Sequence, residues 1–334
     1  MSNDTATDMD DNDPQTADPS TLPTVATTGL GPWALVRRRL RRDRVALVSI
    51  AVIVLLVLFA LAAPLFESWT GHDVNRSNPQ GSDEVTLLPV APMTGCDGLG
   101  DVGEPGCFVL GASNVSGYDM LVQLSYGMRT SLYIGLVSTT LTVILALTMA
   151  LLAGYFGGIV DSIISRLMDV VAAFPFLLFA IAMSVAFGSS RGIVISIIVF
   201  FSWFYPGRLF RSEVLSLRER DFVAAATSLG APTRRILVRH ILPHLVGPAV
   251  VWATLAIASS ITFEAALSFL GFGLPPDVPS LGRMIAEAIP GGRYRLAPRL
   301  MVIPGSLLVL TILAFNLLGD GLRDALDPRG AVER

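Results

Sequence analysis

The chain of 334 residues contains no lysine: all 24 basic residues are arginine. A phosphate-cradling P-loop uses a lysine to reach the nucleotide, so this chain carries no standard site of that kind. Schiff-base catalysis through a lysine amine is excluded for the same reason. Charge is scarce in general. Only 15% of residues are charged and 52% are hydrophobic, whereas ordinary soluble domains carry about 25% charged residues. The three histidines, His72, His240 and His244, have no companion ligands nearby in sequence, so no metal site is expected. No nucleophile–base pairing and no dinucleotide-binding glycine pattern is found, and no catalytic residue is named.

What the chain has in quantity is long apolar runs, which place it in the membrane class. Val45 to Phe66 is long enough to cross a hydrocarbon core about 30 Å thick. Five further spans are expected near residues 131–153, 168–187, 193–210, 245–272 and 301–319. Ala60-Leu61-Ala62 has the small-residue pattern of a signal-peptidase site. The apolar run is too long and starts too late for a signal peptide, so an uncleaved anchor is expected. The fold class that follows is all-α, a polytopic membrane protein with six transmembrane helices.

Charge is segregated along the chain. The first twenty residues carry aspartates and no base, and residues 1–32 read as a disordered acidic tail. Residues 33–66 combine a basic flank with the first span. The arginines from Arg37 to Arg44 abut that span and are explained by the positive-inside rule without invoking nucleic acid. With the flank inside, six spans leave both termini cytoplasmic, and most of the remaining arginines fall in inside segments. Residues 67–127 are then extracytoplasmic. They are polar and hold both cysteines, Cys96 and Cys107, where disulfides persist. Residues 128–320 form a five-helix core with a cytoplasmic hairpin at 211–243, and residues 321–334 form a cytoplasmic tail. In the outer loop 273–300, Met284 to Ile289 is expected to be a short helix at the membrane surface.

The hairpin is the most distinctive stretch. Asp221 suits the N-cap or first turn of a helix running through Leu229. Ala224, Ala225 and Ala226 are strong helix formers and leave a smooth face. Gly230 stands where a helix must stop in the left-handed conformation. Pro232 can open a second short helix bearing Arg234, Arg235 and Arg239, which Pro243 ends before the next span. The shape suits insertion into a cleft on a partner; taken on spacing alone, an ordinary connecting loop fits as well.

The hairpin resembles the coupling loop of binding-protein-dependent ABC importer permeases, whose pattern is Glu-Ala-Ala, three residues, Gly, nine residues, then Ile-x-Leu-Pro. Ala225, Ala226, Gly230, Leu242 and Pro243 keep that spacing. Ala224 stands where the glutamate is usual and His240 where the isoleucine is usual; the nearest acid is Asp221. The likeness extends over about residues 110–330. It includes Leu110-Gly111, Gly117, Asp119, Gly127, Arg129, Ser131 and Leu132; Ala153 to Gly158 with Asp161; Ala173-Phe174-Pro175; and Ser259 to Gly273. The stretch from Asn316 to Arg329 is close to the family's NLLGDGLRDALDPR.

The pattern is similar to that of the C-type permease subunit of dipeptide and oligopeptide importers. That resemblance implies a heterodimer with a homologous permease in the lipid bilayer. It implies cytoplasmic ABC ATPase subunits that bind the hairpin and hold ATP and Mg, and an extracytoplasmic peptide-binding protein. The chain itself would bind no cofactor and would not be an enzyme. Nickel chelates or another small solute are the alternative cargo, and a stand-alone secondary transporter is the reading from a different class. Glu264, an acid within or near a span, is a candidate for the translocation path.

Overall fold

The computed structural model describes residues 38–83, 88–95 and 107–326. Among the described residues the architecture is all-α. The only β features there are isolated antiparallel bridges, Ser82–Pro89, Thr94–Phe108 and Ala112–Asp119. Among the described residues four helices are long and apolar enough to cross a membrane, or up to six spans if each of two bent helix pairs is taken as one.

Helix α1 (Arg44–Leu61) starts at Asp43, the one acid in the arginine block. Its carboxylate accepts from the amides of Val45 at 2.8 Å and Ala46 at 3.3 Å, which satisfies donors at the helix start. Ala46, Ser49, Leu56 and Ala60 form its buried stripe, while Val48, Leu55, Leu58 and Leu61 stay exposed for lipid. A short helix, α2 (Ala63–Thr70), follows at once.

Helix α3 (Met120–Phe156) is the axis of the molecule. It has 37 residues and so runs about 55 Å, well beyond a hydrocarbon core of about 30 Å. The sequence placed the span at 131–153; the helix begins earlier because Asp119 caps it, accepting from Leu121 N and Val122 N. The buried face of α3 is a ladder of small residues that includes Gly135, Ser138, Thr139, Thr142, Ala146, Ala150 and Ala153. Small side chains let helix backbones approach closely where lipid gives no hydrophobic drive.

The expected span 168–187 is not one straight helix. Helices α4 (Gly158–Ala173) and α5 (Phe176–Phe187) meet at 86°. Phe174 is extended at φ −82°, ψ 132°, as a residue before proline prefers, and Pro175 cannot continue the hydrogen-bond ladder. Helices α6 (Arg191–Ser202) and α7 (Phe204–Arg218) form the second bent pair, at 43°. Two ion pairs, Asp161–Arg211 and Asp169–Arg208, join α4 to α7.

Helix α8 (Asp221–Ser228) and a single turn, α9 (Thr233–Arg235), build the hairpin. Helix α10 (Leu242–Phe269) packs on α3 and on the last helix, α13 (Arg299–Leu326), which in turn packs on α1. Between α10 and α13 lie α11 (Leu281–Glu287) and α12 (Arg293–Leu296). The expected short helix is present but begins earlier, at Leu281, and one of its faces is buried in the protein. Leu281 is 0% and Met284 5% exposed, in a core shared with α1, α3 and α13. Helix α13 runs on through Gly321 to Leu326, and Arg39 donates to the Ala325 carbonyl at 3.2 Å, which joins the two ends of the described chain.

Candidate coupling and translocation sites

Asp221 is the first residue of α8, with Arg220 at the N-cap. Its carboxylate lies at the positive end of the helix dipole. The helix ends one residue sooner than expected, with Leu229 as the C-cap. Gly230 N–H then bonds to Thr227 O at 2.9 Å and Ala231 N–H to Ala226 O at 3.0 Å. These are the two bonds of a Schellman motif, which needs a left-handed residue at this position. Gly230 supplies it at φ +70°.

The second arm differs from the expected short helix ended by Pro243. After α9 the chain forms a π-helical stretch, Ile236–Ile241, and continues directly into α10, with Pro243 in its first turn. Proline is tolerated in a first turn because it has no N–H to leave unpaired there. The wider π-turn before it makes room for the ring, which would otherwise press on the carbonyl four residues back. Thr233–Phe269 is thus one continuous rod, and the second arm of the hairpin is the end of a candidate span.

The hairpin has a core of its own. Val223, Ile236, Ile241 and Leu245 are buried with Val214 of α7, against Leu147, Leu151 and Tyr155 of α3. Phe222 stacks on His244, with ring centroids 5.3 Å apart and planes 13° apart. His244 Nδ1 also lies 2.8 Å from the His240 carbonyl. Of the alanine pair, Ala226 packs against this core and Ala225 faces outward, beside exposed Asp221 and Ala224. Leu229, at the tip, is 88% exposed. Leu242 is half-buried.

A cavity of about 1240 Å³ opens beside α3, α7 and α10. Its inner wall carries Thr139 and Ser260, whose hydroxyls are 3.3 Å apart, with Ser259, Trp252 and Tyr205. Its charged lining, Glu213 and Arg323, together with His244, comes from the ends of α7, α13 and α10. Sequence reading singled out neither Tyr205 nor Trp252. The signal for Tyr205 was an aromatic between a helix break and Pro206-Gly207.

Glu264, expected on the translocation path, is absent from that cavity's lining and fully buried. Ser131 of α3 donates to its Oε2 at 2.9 Å, and Ser268 and Ser280 each donate to Oε1 at 2.8 Å. The carboxylate ties α3, α10 and the loop before α11 together. Just beyond it, α11 lies backbone to backbone on α10: a Cβ at Gly282 would come within 2.1 Å of the Ala265 carbonyl.

At the start of α3 Asp119, besides capping the helix, meets His72 Nδ1 at 2.9 Å, with the imidazole tilted over Phe108. The sequence treated His72 as isolated, because its partner is distant along the chain. Cys107 is disulfide-bonded, while Cys96 lies outside the described residues. Among the described residues no cluster suited to a metal ion occurs.

Comparison with known proteins agrees with this geometry. Residues 119–331 match the family model described as the binding-protein-dependent transport system inner membrane component. Residues 31–87 match the N-terminal TM domain of oligopeptide transport permease C. A dipeptide transport system permease protein of Alkalihalophilus pseudofirmus is 35% identical over 90% of this chain and 91% of its own length. An oligopeptide transport system permease protein of Escherichia coli is 33% identical over 90% of this chain and 92% of its own. The fold is similar to a chain of the MetNI methionine ABC transporter in an inward-facing conformation. The TM-score is 0.51 at 18% identity, over 62% of this chain and 98% of that one. This chain belongs to the family of binding-protein-dependent transport system inner membrane components, as a permease subunit of the C type.

Proposed function

We propose that this chain is the permease subunit of an ATP-driven importer that takes up dipeptides or oligopeptides delivered by an extracytoplasmic binding protein. Its relatives carry those cargoes in their names, at near full-length coverage. A homologous permease closes the open side of the cavity, and two ATPase subunits in the cytoplasm hold ATP and Mg. Both chain termini lie in the cytoplasm of a bacterial cell. Asp221, Ala225, Gly230 and Leu229 face the ATPase, and Ala226, Leu242 and Pro243 fix the hairpin to the permease. In the outer segment, Cys96 is the partner of Cys107.

The observation that carries this reading is the construction of the hairpin. Its tip is locked by the Schellman bonds at Gly230, presents Leu229 to solvent, and rests on a core shared with α3 and α7. A push on α8 therefore moves the inner ends of three helices together. Helix α3 carries that displacement to the outer face, where Asp119 and the Glu264 clasp hold its other end. Closure of the ATPases then switches the path between inward- and outward-facing forms.

Reconstitution tests it. The chain is co-expressed with its permease, ATPase and binding-protein partners and placed in liposomes, and ATP-dependent uptake of labelled peptides is compared with that of a nickel chelate. Peptide uptake is expected only with the full set and ATP, and the isolated chain should hydrolyse no ATP. Chelate uptake without peptide uptake would refute the cargo assignment.

A further inference from the structure

We propose that cargo passes along the cavity wall built by Ser259, Trp252 and Tyr205, and that this wall contacts it through neutral groups only. The path is thereby open to peptides of either charge. The proposal rests on the peptide-import reading above and names the residues that would touch the cargo.

Tyr205 is 68% exposed at the cavity and sits just past the 43° bend between α6 and α7. Ser259 is exposed one helix away on α10. Together with the Trp252 indole they offer a hydroxyl, a phenol and an N–H, groups that hydrogen-bond to the amides every peptide carries. The two rings also give apolar side chains a flat surface. Helices broken at the level of a cavity are the usual place for such contacts in membrane transporters.

Charge is missing from this wall. The charged groups of the cavity belong to its cytoplasmic mouth. Along their helices His244 lies eight residues from Trp252 and Glu213 eight from Tyr205, about 12 Å in each case at 1.5 Å per residue, and His244 lies about 22 Å from Ser259. The acid nearest the wall along α10 is Glu264, and it is turned away, fully buried and holding three serine hydroxyls. A fixed charge in a low-dielectric passage would favour cargo of the opposite sign. The fold keeps the acid and shields the path from it.

The test is to place a charge on the wall. Ser259→Asp and Ser259→Arg are made in the assembled complex in liposomes, and uptake of a cationic, a neutral and an anionic tripeptide is measured. The wild type should carry the three at rates within about threefold of one another. Ser259→Asp should shift the cation-to-anion ratio by about tenfold or more toward cations, equivalent to about 1.4 kcal/mol, and Ser259→Arg should shift it the opposite way. Ratios like the wild type in both variants, whatever the absolute rate, or a wild type that carries one charge more than about tenfold faster than another, would overturn the proposal. If a charged variant does not assemble, Ser259→Cys serves in its place. Cationic and anionic methanethiosulfonate reagents should modify its thiol at a rate that changes with ATP and slows with peptide. A rate indifferent to both overturns the proposal. A wild-type complex that takes up no peptide refutes the peptide reading alone, because ATP-dependent labelling of the Ser259→Cys variant still reports whether the wall lies on the path.

Discussion

Substituting Gly230 with a graded series separates backbone geometry from bulk at the hairpin tip. The glycine sits at φ +70°, and a Cβ built on it meets nothing within 4 Å. A side chain therefore costs only conformational energy within this chain. For most L-residues the left-handed conformation costs about 1–2 kcal/mol, and asparagine adopts it more readily. Valine, branched at Cβ, lies at or above the top of that range. Since 1.4 kcal/mol is tenfold in an equilibrium, a cost of about 2 kcal/mol lowers the share of correctly formed tips about thirtyfold relative to competing shapes. Membrane insertion should be normal throughout, as no span is altered. Peptide uptake and ATPase co-purification at matched expression should fall in the order Gly, Asn, Ala, Val. Asparagine as damaging as valine would refute the geometric argument and point to bulk at the docked interface. Normal uptake and assembly in Gly230→Val would show that the hairpin merely connects two spans.

Three other expectations concern separate parts of the chain. Glu264→Ala strands three hydroxyls; at about 0.6–1.7 kcal/mol per hydrogen bond in a membrane interior the loss is about 2–5 kcal/mol. A thermal midpoint in detergent lower by about 5–15 °C is expected, with Glu264→Gln much milder; lost uptake at unchanged stability would restore a path role. Leu229→Asp should leave the midpoint unchanged, since the side chain is 88% exposed, yet abolish ATPase co-purification; retained co-purification would remove Leu229 from the interface. Alkylation with intact-mass analysis should find no free thiol until reduction, and reduction should cost about 3 kcal/mol through loop entropy; two thiols alkylated in the native protein would refute the Cys96–Cys107 pairing.

The spans were legible because an apolar run of about twenty residues is long enough to cross a bilayer and longer than most soluble helices need. Gly230 was legible because the left-handed residue that closes a helix is most often glycine. The 86° break was less so. The run 168–187 is apolar on both sides of Pro175, and hydropathy does not sense direction; the signal lay in Phe174-Pro175, where the preceding residue is driven out of the helical region. Pro243 misled in the opposite sense. Proline disturbs the ladder of a soluble helix interior but is tolerated in a first turn and within membrane helices, as at Pro248 and Pro304, and the π-turn that makes the rod continuous has no sequence signature of its own. Glu264 was visible as an intramembrane acid. Its role was not, because the three serines that satisfy it come from α3, α10 and the loop before α11, and only the fold brings them together.

The hairpin lacks the glutamate of the pattern it resembles without losing its form, and the packing shows why. Ala224 is exposed on α8 and contributes nothing to the hairpin's core. What shapes the hairpin is apolar and local: Val223 and Ile236 beneath it, the Schellman bonds at its tip, and Phe222 stacked on His244 at its base. An acid is still available to the helix dipole one turn earlier, at Asp221. A side chain that only faces outward can be exchanged at little cost to the fold, whereas one that packs or closes a turn cannot. On that ground Ala224→Glu should be accepted without loss of stability, while Val223→Asp, which buries a charge among Ile236, Ile241 and Leu245, should prevent the hairpin from forming. Limited proteolysis between Arg218 and Arg239 reads the difference: rapid cleavage is expected in Val223→Asp, and wild-type resistance in both variants would show that this apolar core is not what holds the hairpin.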